Sequence, residues 1–141
     1  MLRNVQNLSG LAVPQQGWIA EVRNIVGMRA AQLAARLGVG TSAIAHFERA
    51  EADGSITLKS LEKVATALDC RFVYAFVPKS SFEDMIQARA QRIAREMVES
   101  VGHTMALEDQ ALAQEQQREL VDDLASDLVR KLPRTLWDEP Q

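Results

Sequence analysis

The stretch LAARLGVGTSAIAHFERAE, which begins at Leu33, constrains the fold more than any other part of the chain. Its apolar residues recur at helical spacing in two halves, from Leu33 to Leu37 and from Ile44 to Phe47. Each half is therefore expected to bury one face of a short helix. Gly38 follows the last apolar residue of the first half, where a left-handed helix cap is favoured. The sequence predicts two short helices joined by a sharp corner.

Ala34 and Ile44 give this corner a more specific interpretation. The small side chain of Ala34 permits a second helix to cross closely, and Ile44 comes ten residues later to pack against it. This is the spacing of a helix-turn-helix. The same spacing also fits an ordinary helical hairpin, because leucine, alanine and glycine are common in every helical core.

The opposite face of the second helix favours the helix-turn-helix. A purely solvated face would more often carry glutamate and lysine, whereas this face begins with short side chains. Helix-turn-helix proteins place the N-terminal residues of that helix against base edges in the DNA major groove. Serine, threonine and histidine can form hydrogen bonds there, and alanine can contact a thymine methyl group. The candidate base-reading residues are Thr41, Ser42, Ala43 and His46.

Charge is divided unevenly along the chain, whose formal net charge is −3. Residues 1–79 hold nine lysines and arginines and six acids, whereas residues 80–141 hold seven and thirteen. The basic first part can therefore meet phosphate, while the acidic second part stays away from it or serves another partner.

Composition excludes several classes of protein. With 141 residues, 47% of them hydrophobic, the chain suits one domain with an appendage and is not disordered. No apolar run approaches the roughly 18 to 20 residues of a membrane span, so we expect a cytoplasmic protein without a membrane partner. The single cysteine, Cys70, precedes an apolar run and is interpreted as a buried structural thiol.

No group of residues points to catalysis. Cys70, His46 and His103 lack the spacing of metal ligands. The chain has no phosphate-binding glycine loop and no arguable Ser/His/Asp constellation. We therefore expect no metal, no cofactor and no enzymatic activity.

Start and stop signals predict two further helices in the basic part. A first helix begins at Trp18 and ends at Gly27, and a fourth follows Thr57 as its N-cap residue. The four short helices are expected to form a compact bundle. The inner face of the fourth is assigned to Leu58, Leu61, Val64, Ala65 and Leu68.

Two longer helices are predicted in the acidic part. The first opens with Ser80 and Glu83 in the spacing of a capping box. After a break, the second runs roughly from Leu107 to Leu132. Trp137 in the tail is either tucked against the body or held out as an interface anchor.

The segment between the bundle and these helices alternates like a strand. RFVYAFVP, residues 71–78, alternates aromatic with smaller apolar side chains and ends at a proline. The chain offers no second convincing strand, so the pairing strand is expected from another copy of the chain. A buried helix segment or an extended linker would show the same short apolar run. The predicted dimerisation residues are Phe72, Val73, Tyr74, Ala75, Phe76 and Val77.

Residues 17–70 resemble a known DNA-binding domain. The motif LAARLGV is similar to the Leu-Ala-x-x-Leu-Gly-Val core of the helix-turn-helix shared by the phage Cro and C1 repressors and the wider xenobiotic-response-element group. More narrowly, GWIAEVRNIVGM, FERAEADGSITLKSLEKVATALDC and FVYAFVP resemble the bacterial family called mobile mystery protein A.

The resemblance implies a mainly α, lambda-repressor-like fold. An N-terminal tail, residues 1–16, precedes the helix-turn-helix domain of residues 17–70. The dimerising β-strand, residues 71–78, and an acidic helical region with two long helices, residues 79–141, complete the chain.

Base and phosphate contacts also follow from the resemblance. The base-reading positions of the group fall on the four residues named above, where many relatives carry glutamine or arginine, so water and DNA shape are expected to contribute more here. Arg29, Arg49 and Lys59 match positions that commonly contact phosphate, and Lys59 lies beside a helix N-terminus that itself favours an anion. Each of these cations could instead be a solvated surface charge.

Genes of this family tend to lie beside a Fic-domain partner, which suggests an antitoxin role. Many Fic enzymes are held inactive by a helix with a serine or threonine, three spacers, a glutamate and then glycine or asparagine. The nearest match, TMALED, begins at Thr104 and has Asp109 after Glu108, which argues against direct obstruction of a Fic active site.

The predicted function is that of a homodimeric, sequence-specific repressor of its own operon. Its recognition helices would enter successive major grooves about 34 Å apart, so the double-stranded operator is expected to be nearly palindromic. A Fic-domain toxin is the predicted partner of the acidic part. The alternative is a protein-binding antitoxin in which the helix-turn-helix is mainly a scaffold.

Overall fold

The computed structural model of the chain describes residues 5, 7–102 and 110–139. It divides into two compact units, one up to Val77 and one from Pro78 onward. The helices of the first unit are α1 (Trp18–Ile25), α2 (Ala30–Leu37), α3 (Thr41–Asp53) and α4 (Leu58–Ala67). The second unit contains α5 (Phe82–Gly102), α6 (Gln110–Lys131) and a short 3-10 helix (Arg134–Trp137).

The core of the first unit is built by one or two side chains from each of its helices. Ile19 of α1, Leu33 of α2, Ile44 of α3 and Val64 of α4 are almost fully buried together. Burial of each such side chain contributes about 1.5–3 kcal/mol to the free energy of folding. Ala34, only 3% exposed, belongs to the same cluster, which confirms the close crossing predicted from its size.

The corner between α2 and α3 is the predicted one. Gly38 adopts the left-handed conformation, with φ of 67° and ψ of 33°. Its N–H donates to the carbonyl of Ala35 at 3.3 Å, and the N–H of Val39 donates to the carbonyl of Ala34 at 3.0 Å. These bonds satisfy carbonyls that the end of α2 would otherwise leave without partners.

Two acidic side chains of α3 fix α1. The Arg23 Nε donates to Glu48 Oε1 at 2.7 Å in a largely buried ion pair. The Glu51 carboxylate accepts from the backbone N–H groups of Trp18, at 2.7 Å, and Ile19, at 2.9 Å. Gly17 is required beside this cap, because its φ is 88° and a Cβ atom would lie 2.6 Å from Glu51 Oε1.

The predicted β-strand is wrong. Residues 71–78 have no regular secondary structure, and no strand occurs anywhere in the described ranges. A strand forms only when its N–H and C=O groups are paired, and the helices that make up the rest of the structure offer no edge. The alternating pattern of these residues therefore indicated an apolar surface, not a β-strand. The mainly α class and the helix-turn-helix bundle fit the structure.

The second unit pairs α5 with α6. Its buried cluster is made of Ala90 and Ala94 on α5, Ala125 on α6, and Leu136 from the 3-10 helix. The three alanines let the helices approach closely, and Leu136 is the one large side chain of the buried cluster. Helix α5 is capped one residue later than predicted, by Ser81 and not by Ser80. The Ser81 Oγ accepts a hydrogen bond from the N–H of Asp84 at 2.9 Å.

A buried arginine holds the tail against this hairpin. Arg89 is 7% exposed, and its guanidinium donates to the carbonyl oxygens of Leu136, at 2.7 Å, and Asp138, at 2.6 Å. It also lies 5.7 Å from the ring centroid of Trp137. The sequence left two positions open for Trp137, tucked against the body or held out as an interface anchor. The structure places its ring against the hairpin, with half of its surface exposed.

Candidate nucleic-acid interface

The outer face of α3 is lined by short side chains. Residues three and four apart share a face of a helix, and the exposed positions of α3 follow this spacing. Of the four predicted base-reading residues, Thr41, Ser42 and His46 are exposed, whereas Ala43 is half-buried. Ala45, which the sequence analysis missed, is exposed one helical turn after Ser42. The exposed face is therefore formed by Thr41, Ser42, Ala45, His46 and Arg49.

The opposite face of α3 holds this surface in place. Ile44 and Ala50 are buried, and Phe47 is half-buried against the core. The ring of Phe47 also lies 6.3 Å from the ring of His46, tilted by 52°. Together with the Glu48 and Glu51 contacts to α1, this packing positions the N-terminal turns of α3 on the surface of the unit.

The N-terminus of α3 is open to an anion. Its N-cap residue, Gly40, has no side chain to accept from the first turn. The N–H groups of that turn and the helix dipole therefore favour a phosphate or another negative group. At the other end of α3, hydrogen bonds from Ser55 lower the pKa of the Asp53 carboxyl. Asp53 is the last residue of α3, so its negative charge lies at the end of the helix away from the base-reading residues.

The cations of the first unit fall into two groups. Arg23 is paired with Glu48, and Arg36 of α2 donates to the carbonyl of Ala67 and contacts Asp69. In contrast, the three predicted phosphate contacts are exposed and form no ion pair with any described residue. Lys63, one turn beyond Lys59 on α4, shares both properties and was missed. In α2 to α4 and their caps, the cations without an ion pair to another described residue are Arg29, Arg49, Lys59 and Lys63.

Two of these cations lie at helix N-termini. Arg29 is the N-cap residue of α2, and its backbone N–H donates to Gln32 Oε1 at 2.8 Å. Lys59 lies in the first turn of α4, whose predicted N-cap is confirmed because Thr57 Oγ1 accepts from the N–H of Ser60 at 3.1 Å. Positive side chains and helix N-termini together suit contact with phosphate groups.

This geometry agrees with the comparison to known families. Residues 19–74 match the model of the Cro/C1-type helix-turn-helix family. Apart from Trp18 at the start of α1, the match covers the four helices given above for the first unit, and it indicates a DNA-binding transcription regulator. The narrower family resemblance is not tested by it. The chain has no significant match among curated proteins or solved structures.

Two predictions about side chains of the first unit are wrong. Cys70 is exposed and is not a buried thiol. Its Sγ lies 3.4 Å from the carbonyl oxygen of Leu68. Leu58 is also 53% exposed and not on the inner face of α4. His103 and the TMALED stretch lie outside the described residues. Within the described ranges, no cluster of metal-ligating side chains occurs and no helix is long and apolar enough to cross a membrane.

Proposed function

We propose that the protein is a homodimeric, sequence-specific transcription repressor that acts on its own operon. The observation that carries the proposal is the outer face of α3, where exposed short polar side chains share a face with Arg49, which forms no ion pair with any residue that the structure describes. Arg49 lies on α3 itself, and Arg29, a second such cation, is the N-cap residue of α2, the helix that precedes it.

The proposed binding mode combines contacts to base edges with contacts to phosphate groups. Thr41, Ser42 and His46 would contact base edges, with Ala45 close enough to favour a thymine methyl group. Arg29, Arg49 and Lys59 would contact phosphate groups and set the register of α3 in the major groove. Because the base-reading side chains are short, ordered water and the shape of the DNA supply part of the specificity.

A homodimer accounts for a second feature of the first unit. Among the residues that follow α4, Val73, Tyr74 and Phe76 are 65%, 70% and 90% exposed, and no charge interrupts the segment between Arg71 and Lys79. An apolar stretch this exposed usually marks an interface. Two copies joined here would present two α3 helices, which suits a nearly palindromic operator.

The decisive measurement is binding to the DNA upstream of the protein's own gene. We expect the full-length protein to shift this DNA at concentrations at least a hundredfold below those that shift a scrambled duplex, because specific binding typically exceeds nonspecific binding by 10³-fold or more. A footprint should show two protected half-sites about 34 Å apart. Equal affinity for both duplexes would favour the alternative, a protein-binding antitoxin with the helix-turn-helix as a scaffold.

A Fic-domain partner is the second part of the proposal, and it is supported by the family resemblance and by the acidic second unit. The exposed apolar residues of that unit include Met97 and Leu120, which are about half exposed. We expect a Fic-domain protein encoded beside this gene to co-purify with the full chain, and Leu120→Lys to weaken this. Val13→Lys, at an exposed apolar position of the first unit, is the control. Failure of the wild-type chain to retain the Fic protein would remove the antitoxin role.

A further inference from the structure

An open apolar groove of about 370 Å³ lies in the first unit, away from the outer face of α3. One wall is formed by Trp18 and Val22 of α1 and another by Leu61 of α4 and its C-cap residue Leu68. Phe72 and Val73, which follow α4, close one side. The Glu51 carboxylate also lines the groove, but both of its oxygens already accept hydrogen bonds from α1. The groove therefore offers mainly apolar contact.

The chain also carries a side chain of the right kind to fill such a groove. Phe76 is 90% exposed and Tyr74 is 70% exposed, only a few residues beyond the groove wall. Within one copy, Phe72 and Val73 already occupy the near side of the groove, and Phe76 remains in solvent. One copy thus presents both an apolar groove and an apolar projection that it does not bury itself.

We propose that Phe76, with Tyr74 beside it, occupies this groove in a second copy of the chain, and that the second copy returns the same contact. This rests on the proposed homodimer and names its interface. A two-fold axis relates identical patches, so one complementary pair of surfaces is used twice. The contact is made by side chains and needs no pairing of backbone groups.

The surface involved reaches the lower limit for a specific dimer. Aromatic side chains bury roughly 150–250 Å² each, so the two rings and Val77 supply roughly 400 Å² per copy. The open wall of the groove exposes less than half as much apolar surface. Two copies would then bury roughly 1,000 Å² in all, the area at which a specific interface begins. A small ligand is disfavoured because the lining offers few polar groups to orient one.

Cross-linking through Cys70 tests the placement directly. Cys70 is exposed, lines the groove and is the single cysteine of the chain. A tagged chain with native Cys70 is mixed with an untagged chain carrying Cys70→Ser and Ala75→Cys, which keeps Phe76. Mild oxidation should give a mixed disulfide dimer, recognised by its size. The control is Cys70→Ser with Val26→Cys, at a 59% exposed position outside the groove, and it should give at least tenfold less.

Sedimentation velocity on the full chain gives the second test. Phe76→Asp should raise the dissociation constant of the dimer at least a hundredfold, whereas Val13→Asp, at a 70% exposed apolar position outside the groove, should leave it unchanged. A dimer that survives Phe76→Asp overturns the groove contact but not the dimer. A wild-type monomer overturns both, and operator binding is scored separately in the gel shift. If the wild-type chain is a monomer, dodecanoate is added and the fluorescence emission of Trp18 is recorded in the Trp137→Phe variant. A shift of that emission would assign the groove to a small amphiphile instead of a second copy.

Discussion

Replacing Thr41 and Ser42 together by alanine is expected to weaken operator binding by about 10- to 100-fold while leaving binding to random DNA almost unchanged. Both side chains are exposed at the start of α3, where they are free to contact base edges. A good base contact contributes about 1–3 kcal/mol of discrimination, and short hydroxyls lie at the lower end of that range. Gel shifts with operator and random duplexes at two salt concentrations measure the effect.

Arg49→Ala provides the contrasting variant in the same helix. Arg49 is exposed and forms no ion pair within the described ranges, and its proposed contact is to phosphate, which carries no sequence information. We expect it to weaken binding to both duplexes by a similar factor and to reduce the slope of log affinity against log salt by about 1. If the Thr41 and Ser42 change instead lowers binding to both duplexes equally, these residues do not read bases.

Leu136→Ala is expected to lower the free energy of unfolding of the second unit by about 3 kcal/mol, because removal of a buried leucine leaves a cavity. Leu136 is 2% exposed and is the largest side chain of a buried cluster whose other three members are alanines. Urea unfolding followed by the fluorescence of Trp137, with Trp18→Phe, reports on this unit. The same titration followed by Trp18, with Trp137→Phe, should show the first unit unchanged.

Leu120→Ala is the matched control for Leu136→Ala. Leu120 lies on α6 with half of its surface exposed, so its truncation should change the free energy of unfolding by less than about 0.5 kcal/mol. Should Leu136→Ala prove as mild as this control, the tail does not pack into the hairpin in solution.

Local signals in the sequence were sufficient for most helix boundaries. Gly38 and Thr57 cap their helices through bonds to residues no more than four positions away, so the relevant partners are visible in the sequence itself. The crossing of α2 and α3 was also predictable, because a small residue and a large one stand at a characteristic spacing. The phosphate contacts of Arg29, Arg49 and Lys59, which the family resemblance implies, stay a prediction, and all three side chains are exposed.

Contacts between distant residues were not predictable in the same way. Glu51 accepts from residues 33 and 32 positions earlier, and Arg89 donates to carbonyls 47 and 49 positions later. Neither pairing leaves a pattern in the sequence, since backbone groups of any residue type can serve as partners. The predicted strand failed for a related reason: alternation reports which side chains are apolar, whereas a strand also requires a neighbouring backbone.

The cap that Glu51 places on α1 limits how the DNA preference of this protein can be re-engineered. The helix that carries the base-reading face also supplies the carboxylates that hold α1 in place. A recognition helix transplanted whole from another regulator would bring new bases into reach, yet it would leave the N–H groups of Trp18 and Ile19 without acceptors unless it also carried an acid at position 51. Only the outward positions of α3 are therefore interchangeable, and the inward ones belong to the scaffold.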